Sequence, residues 1–482
     1  MTSMDYLAIA PHITLTVSIL IVMLVVGFWR NHRLTMALTV LGFVATFIAL
    51  FPALGASPRA VTPLIQLDSF AAFFNAMFLI IAAVTALISH RYLEGRTGEL
   101  EEYYILLAIA TLGAMTLASA QHFAAFLLGL EIMSISLYTL IAYPEEGHPP
   151  LEAALKYLVL SGVGSTTLLL GMGLIYNATG SLVFADLFQA NPIGERSDLW
   201  LLAGQALLIT GVAFKLSLIP FHMWTPDVYQ GAPAPVTGYL ATVSKASVFA
   251  ILLRFAVQTE TLNQDVIFTL IAAMAILSMV LGNVLALLQD SVKRILAYSS
   301  IAHIGYLMIG LLAVSALDDS AMALETCLMF LAGYLLMTVT AFAVVTQMSS
   351  PASARDSDQL ADFAGLFWRQ PVLASVMTIA LLSLAGIPLT AGFIAKFYLF
   401  AAGIEGALWS LIWAMIVGSA VAIYYYLKIV FAMTSKESEH EMPSVSMLGA
   451  ATTVALGVAI IVLGTYPTPL IDAVQRIVEG FG

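Results

Sequence analysis

The chain has 482 residues, 61% hydrophobic and 10% charged, with a mean hydropathy of +0.96. Soluble domains carry about a quarter charged residues, so these residues cannot cover a water-exposed surface. A net charge of −11 argues against nucleic-acid binding, and a single cysteine, Cys327, excludes a disulfide framework or a Cys-based zinc or iron–sulfur site.

The chain reads as an all-α polytopic membrane protein. MTSMDYLAIAPH at the start lacks the positive region of a cleaved signal peptide, so the first apolar stretch is expected to stay as a span. A bilayer core takes about 20 apolar residues per helix. Fourteen stretches qualify, near 9–29, 34–54, 69–90, 104–121, 123–143, 153–176, 199–221, 236–257, 266–288, 294–316, 321–347, 371–402, 406–433 and 446–465. No soluble domain fits in the remainder, whose longest polar stretch is Ser349–Gln370. No GxGxxG or Walker-type loop is present, so no nucleotide fingerprint is visible.

Lysine and arginine set the orientation. With both termini outside, ten basic residues fall in inner connections: Arg30, Arg33, Arg91, Arg96, Lys293, Arg294, Arg355, Arg369, Lys428 and Lys436. Four fall outside, namely Arg59, Arg196, Arg254 and Arg476. The bias predicts N-out, C-out.

The remaining lysines lie within spans, where an ionised side chain costs at least about 2.5–3.5 kcal/mol on insertion scales. Lys156 stands a turn inside the sixth span, Lys215 in the seventh, Lys245 near the middle of the eighth and Lys396 in the twelfth. Glu131 stands about nine residues into the fifth. A structural ion pair or a snorkelling lysine is the plain alternative, and it fits Lys156 better than Lys245. Five such charges exceed what structural pairing needs, so a proton or ion path is the leading reading. His303 falls mid-span, where a satisfied core histidine is an equal alternative, and His222 follows a proline near Lys215. His122 reads as interfacial, and His90 and His148 as loop or end residues. Cys327 and the 21 methionines read as packing. Tyr424, Tyr425 and Tyr426 read as an interfacial aromatic belt sooner than as part of a polar path.

Two spans contain breaks, at Pro220 in LSLIPFHMW and at Pro388 in SLAGIPLTAGF. Proline removes a donor and clashes with the preceding turn. Broken spans survive in lipid only where the freed backbone faces protein or water, and paired breaks point to an inverted-repeat transporter. The breaks lie five spans apart, an odd number, so spans 4–8 and 9–13 are expected to form two inverted five-helix repeats. The expected units are 1–103 (helices 1–3), 104–257 (first repeat), 258–433 (second repeat) and 434–482 (helix 14 and tail).

FKLSLIPFHMWTPDVYQGAPAPV (214–236), KRILAYSSIAHIGY (293–306), LLGLEIMSIS (127–136) and LAGIPLTAGFIAKFY (384–398) carry a resemblance over nearly the whole chain. The sequence resembles the antiporter-like membrane subunits of bacterial respiratory NADH:quinone oxidoreductase (complex I, the type I NADH dehydrogenase). Its length, Lys396 and the TPDVYQGAPAPV phrase resemble the N type. The M type usually has glutamate at Lys396, and the L type carries a long lateral helix for which the roughly sixteen residues after the last span leave no room. The resemblance implies a proton-translocating role for Glu131, Lys215, Lys245, Lys396, His222 and His303, with Lys156 mapped less closely. It implies no catalytic, cofactor-binding or metal site in this chain. FMN, iron–sulfur clusters and quinone are expected in or near other subunits. Expected partners are the M and K subunits, the lateral helix of the L subunit and lipids, in the bacterial inner membrane. Alternatives are a subunit of a related multisubunit sodium/proton antiporter or membrane-bound hydrogenase, a passive scaffold of the same complex, or a self-contained transporter.

Overall fold

The computed structural model describes residues 2–94, 96, 98–143, 148–189, 197–259, 261–317, 320–349, 356–435 and 446–481. Arg196, Arg355 and Lys436, three of the residues used to orient the chain, lie outside them.

Helices α1 (Ser3–Phe28) and α2 (His32–Leu54) lead into a hairpin, β1 (Arg59–Thr62) and β2 (Ile65–Leu67). Then come α3 (Ser69–Leu93), α4 (Glu102–Ser119), α5 (Phe123–Ala142), α6 (His148–Thr179), the short α7 (Phe184–Gln189) and α8 (Ser197–Leu216). After α8 come α9 (Trp224–Gly231), α10 (Ala234–Tyr239), a π-helical turn (Leu240–Ser244) and α11 (Lys245–Thr259). Helices α12 (Asp265–Leu287), α13 (Val292–Ala316) and α14 (Ser320–Met348) follow, then α15 (Leu366–Arg369), α16 (Pro371–Ala385) and α17 (Ala391–Glu405). The chain closes with α18 (Trp409–Thr434), α19 (Met447–Thr465) and α20 (Thr468–Glu479).

Among the described residues, thirteen helices are long and apolar enough to cross a membrane. The fourteenth expected span, 371–402, is not one helix. It is α16 and α17, fifteen residues each, separated by a break. Start signals are read from side chains. Asn31, Asp68, Ser291 and Ser446 each cap a free N–H three residues ahead. Small residues bring helices close: a Cβ at Gly171 of α6 would stand 2.6 Å from the Leu208 nitrogen of α8.

Helices α10–α11, α13 and α14 are almost wholly buried, whereas α1, α2 and α19 bury only one side. The spans that hold Lys245 and His303 therefore sit at the centre. Both ends of the chain meet the hairpin's face: Arg59 binds Asp5 and Thr2, and Ser69 donates to the Ile477 carbonyl at 3.0 Å. Helix α20 is an amphipathic helix that sequence reasoning missed, being too short and too polar to register as a span. It lies against α3 and α14.

Some of the expected loop charges are buried. Arg254, counted outside, is fully enclosed near the end of α11 and binds Asp68 at 2.6 and 2.9 Å and the Ala118 carbonyl at 3.1 Å. Its ring neighbours are Phe70 and Phe481. The pairing residue, 186 positions away, satisfies the charge that the loop assignment had left to water. Lys293 and Arg96 are buried around Asp356, at 2.8 and 3.8 Å. Tyr425 and Tyr426 are enclosed rather than interfacial, and only Tyr424, 67% exposed, faces outward.

Asp68→Ala strands the Arg254 guanidinium. Breaking a buried pair by removing one partner costs about 3–5 kcal/mol, so the variant should fail to accumulate as assembled protein, as read on native gels. Replacing Asp68 and Arg254 together with leucine and methionine should recover most of that loss.

Candidate functional site

Both breaks are built the same way. After α8, Ser217 takes a left-handed conformation (φ 65°), and the Ser217 and Leu218 amides donate back to the carbonyls of Phe214 and Ala213 at 3.1 and 2.9 Å. After α16, Gly386 (φ 86°) and Ile387 donate to Ser383 and Leu382 at 2.9 and 3.0 Å. This is the Schellman C-cap. The prolines lie three and two residues beyond, where the helix has already ended, so they prevent its resumption rather than start the break. Freed backbone is satisfied by protein: the Trp224 indole donates to Phe214 at 3.0 Å, and the Ile219 amide donates to the Ser278 hydroxyl at 2.9 Å.

Each break holds a lysine. Lys396 Nζ donates to the last carbonyl of α16, Ala385, at 3.0 Å, and to Ser419 at 3.3 Å. Lysine at a helix C-terminus meets both the orphan carbonyl and the negative end of the dipole. Gly386 leaves the space that this needs, since a Cβ there would stand 2.8 Å from Lys396 Cδ. Lys215, one residue before the end of α8, is buried and donates to Ser161 at 2.6 Å and Ser134 at 3.2 Å. Glu131 acts on Lys215 electrostatically. Among the described residues no ion pair joins them within 4.0 Å, and one Glu131 oxygen is buried without a partner. The expected pair therefore makes no direct ion pair, and Lys215 is held by the two serines.

Lys245 is 1% exposed and follows the π-helical turn directly. Such turns are frequent at functional sites. Its Nζ donates to Ser300 at 2.7 Å and lies 5.6 Å from the centre of the Tyr229 ring. Ser300 bonds in turn to Tyr334 at 2.6 Å. Tyr157 is buried and packs on Tyr138, whose hydroxyl donates to the same Ser161 that Lys215 reaches. His303 is 2% exposed, its Nδ1 has no partner, and its ring lies 5.6 Å from that of Tyr334. The row runs Glu131, Lys215, Tyr157, Lys245, Ser300, His303, Lys396, buried from Lys215 to His303 with Glu131 and Lys396 half-buried at its ends.

Two site residues stand apart from it. His222 is 8% exposed beside the first break, with Nδ1 unpartnered and its ring 6.4 Å from Tyr298. Lys156 is 41% exposed and pairs with Glu152 at 2.8 Å and Asp227 at 2.9 Å. That matches the structural reading of Lys156. It lines a cavity of about 690 Å³ together with Glu152, Asp227, Asp356, Asp358 and Asp362. His122 is the N-cap of α5, its Nδ1 accepting from the Ala124 amide at 2.9 Å.

The hydroxyls that link the charges were not picked out from sequence. Their signal was a serine or tyrosine three or four positions from a titratable group inside a span, as Ser299 and Ser300 stand to His303, or Ser134 to Glu131.

A buried file of titratable side chains, crossing from one broken membrane helix to another with no redox ligand among its members, defines an ion-translocating membrane subunit. Residues 120–422 match the family model described as NADH:quinone oxidoreductase/Mrp antiporter, TM. Subunit N of NADH-quinone oxidoreductase from Methylococcus capsulatus is 44% identical over 477 residues, covering 99% of this chain and 96% of that protein. The subunit N of Ectopseudomonas mendocina is 43% identical over 485 residues, with coverages of 98% and 97%. A chain of respiratory complex I from Thermus thermophilus with bound aureothin has a TM-score of 0.81 at 33% identity, covering 96% of this chain and 99% of that one. A chain of the Mrp complex from a Dietzia species has a TM-score of 0.84 at 19% identity, a likeness of fold. The chain belongs to the NADH:quinone oxidoreductase/Mrp antiporter membrane-subunit family.

Gly386→Ala puts a side chain into a left-handed position, a cost of about 1–2 kcal/mol, and into the path of Lys396. The expected result is an assembled but less heat-stable complex with reduced proton pumping, measured by melting temperature and by vesicle acidification.

Proposed function

We infer that the chain serves as the proton-translocating, N-type membrane subunit of an NADH:quinone oxidoreductase. The single observation that carries this reading is the row from Glu131 to Lys396, buried along its middle. A lysine buried among serines can alternate between charged and neutral forms, because desolvation favours the neutral amine and a nearby carboxylate favours the ammonium. Glu131 holds Lys215 charged when close and releases it when apart. The proton then passes by way of Tyr157 to Lys245, and from Lys245 through His303 to Lys396, with waters closing the longer gaps.

NADH oxidation and quinone reduction take place elsewhere in this reading, with FMN, iron–sulfur clusters and quinone in or near other subunits. This chain turns the released energy into charge movement. The acid-lined cavity beside α9 is where protons leave the aqueous phase, because the opposite side of α9 presents Tyr229 to Lys245. His222, apart from the row beside the first break, would extend the path there through water. The M and K subunits and the lateral helix of the L subunit are the proposed neighbours, with lipids around the one-sided helices. The two five-helix units, 104–257 and 258–433, act as inverted halves around the buried row. The membrane is the bacterial inner membrane, with both termini periplasmic. The long, high-identity relatives favour this reading over a sodium/proton antiporter or a hydrogenase subunit, and the Lys245 variants below separate it from a scaffold.

Two experiments test it. Lys245→Ala removes a charge whose burial is expensive, so the complex should assemble with little change yet lose most proton pumping. Lys245→Arg keeps the charge but cannot release its proton near neutral pH, and it should fail almost as badly. Normal pumping by the arginine variant would leave only a fixed-charge role for Lys245. For the orientation, cysteines placed at Ser3 and Glu479 should both react with an impermeant thiol reagent added from the periplasm. Protection of both ends would reverse the assigned sides.

A further inference from the structure

A second buried polar cluster adjoins the row without belonging to it. Asn283 of α12 is 1% exposed, and its Nδ2 donates to its own helix at the Met279 carbonyl and to the Tyr306 hydroxyl of α13 at 2.9 Å. Its Oδ1 accepts from the Tyr425 hydroxyl of α18 at 2.9 Å. The Met279 carbonyl can only accept, so it fixes which end of the amide is the donor. Tyr306 must then receive a hydrogen bond from Asn283, and its own proton points elsewhere. Lys396 Nζ lies 5.3 Å from the Tyr306 ring centre and donates to Ser419 at 3.3 Å.

On the far side, the Tyr425 ring contacts Tyr426 at 4.4 Å. Tyr426 bonds to Ser299 and lies 3.4 Å from His303 Nε2. The backbone is shaped around this cluster. A Cβ at Gly418 would come within 2.8 Å of Asn283 Nδ2 and 2.9 Å of the Tyr306 oxygen, so α18 approaches this closely only with glycine there. The titratable groups facing the cluster are His303 and Tyr306 of α13, Lys396 of α17, and Tyr425 and Tyr426 of α18.

Asn283 Nδ2 is a fixed donor to the Tyr306 hydroxyl, and Lys396 Nζ lies against the Tyr306 ring. We propose that Asn283 is a positioning residue for Lys396: by donating to the Tyr306 hydroxyl it holds the ring against which Lys396 rests. The proposal rests on the reading of Lys396 as a member of the proton path. A structural role alone needs only shape, whereas this role needs a donor.

The test compares Asn283→Leu, Asn283→Asp and Tyr306→Phe in the assembled complex, with Tyr424→Phe, the exposed neighbour outside the cluster, as control. NADH-driven proton uptake by vesicles is measured against electron flow to quinone across pH. Asn283→Leu and Tyr306→Phe should lower protons moved per electron several-fold without a new pH dependence. Asn283→Asp keeps a donor for the Tyr306 hydroxyl only while its carboxyl is protonated. It should therefore pump better at low pH and lose coupling as pH rises. Pumping equal to the control in all three variants overturns the proposal. So does equal impairment by leucine and aspartate with no new pH dependence, which would mark a packing role. If the leucine variant fails to assemble, Asn283→Asp and Tyr306→Phe decide the same question. Loss of pumping in Lys245→Ala alongside unaffected Asn283 variants would sink the clamp and leave the main path standing.

Discussion

An ammonium group in the middle of a bilayer must be solvated by the protein that carries it. Every unusual feature of this chain follows from that requirement. Lys215, Lys245 and Lys396 each reach a serine hydroxyl, and Lys396 also reaches a backbone carbonyl. A carbonyl can be spared for a side chain only where a helix stops, and helices stop inside membranes only when protein groups take up the freed bonds. The break after α16 is thus part of the solvation of Lys396. The helices that hold Lys245 and His303 sit at the centre, behind one-sided helices that meet the surrounding membrane.

Burial alone does not separate a working charge from a structural one. Arg254 is more enclosed than Lys215, yet Asp68 binds it bidentately and Ala118 adds a third contact. Such a group is fixed. Lys245 has one serine and an aromatic face, and Glu131 stands clear of direct contact with Lys215. Neutral or distant partners hold a lysine without committing it to one charge state. The difference between the Arg254 pocket and the Lys245 pocket is therefore chemical, and it distinguishes a clamp from a relay.

Much of this was legible in the sequence. Apolar runs of bilayer length gave thirteen spans outright, and the fourteenth differed because a left-handed Gly386 divides it. The buried lysines and glutamate were visible as charges where none should be. What escaped were features that depend on distant pairing. Nothing near Arg254 announces Asp68, and its place toward the end of a span resembled a loop. Tyr425 and Tyr426 look like an aromatic belt until Asn283, Ser299 and His303 are brought beside them. Proline marked both breaks correctly, but the caps that create them are Ser217 and Gly386, and a serine in a left-handed turn leaves little trace in sequence.

The central claim is that Lys245 changes its charge during turnover. Nitrogen-15 spectroscopy of lysine-labelled complex, assembled and embedded in lipid, observes that charge directly, because amine and ammonium nitrogens resonate apart. With Lys245→Met used to assign the signal, the account predicts that NADH-driven turnover shifts the Lys245 resonance between ammonium and neutral amine. A Lys245 signal that stays in a single charge state at rest, under NADH and during turnover would contradict it.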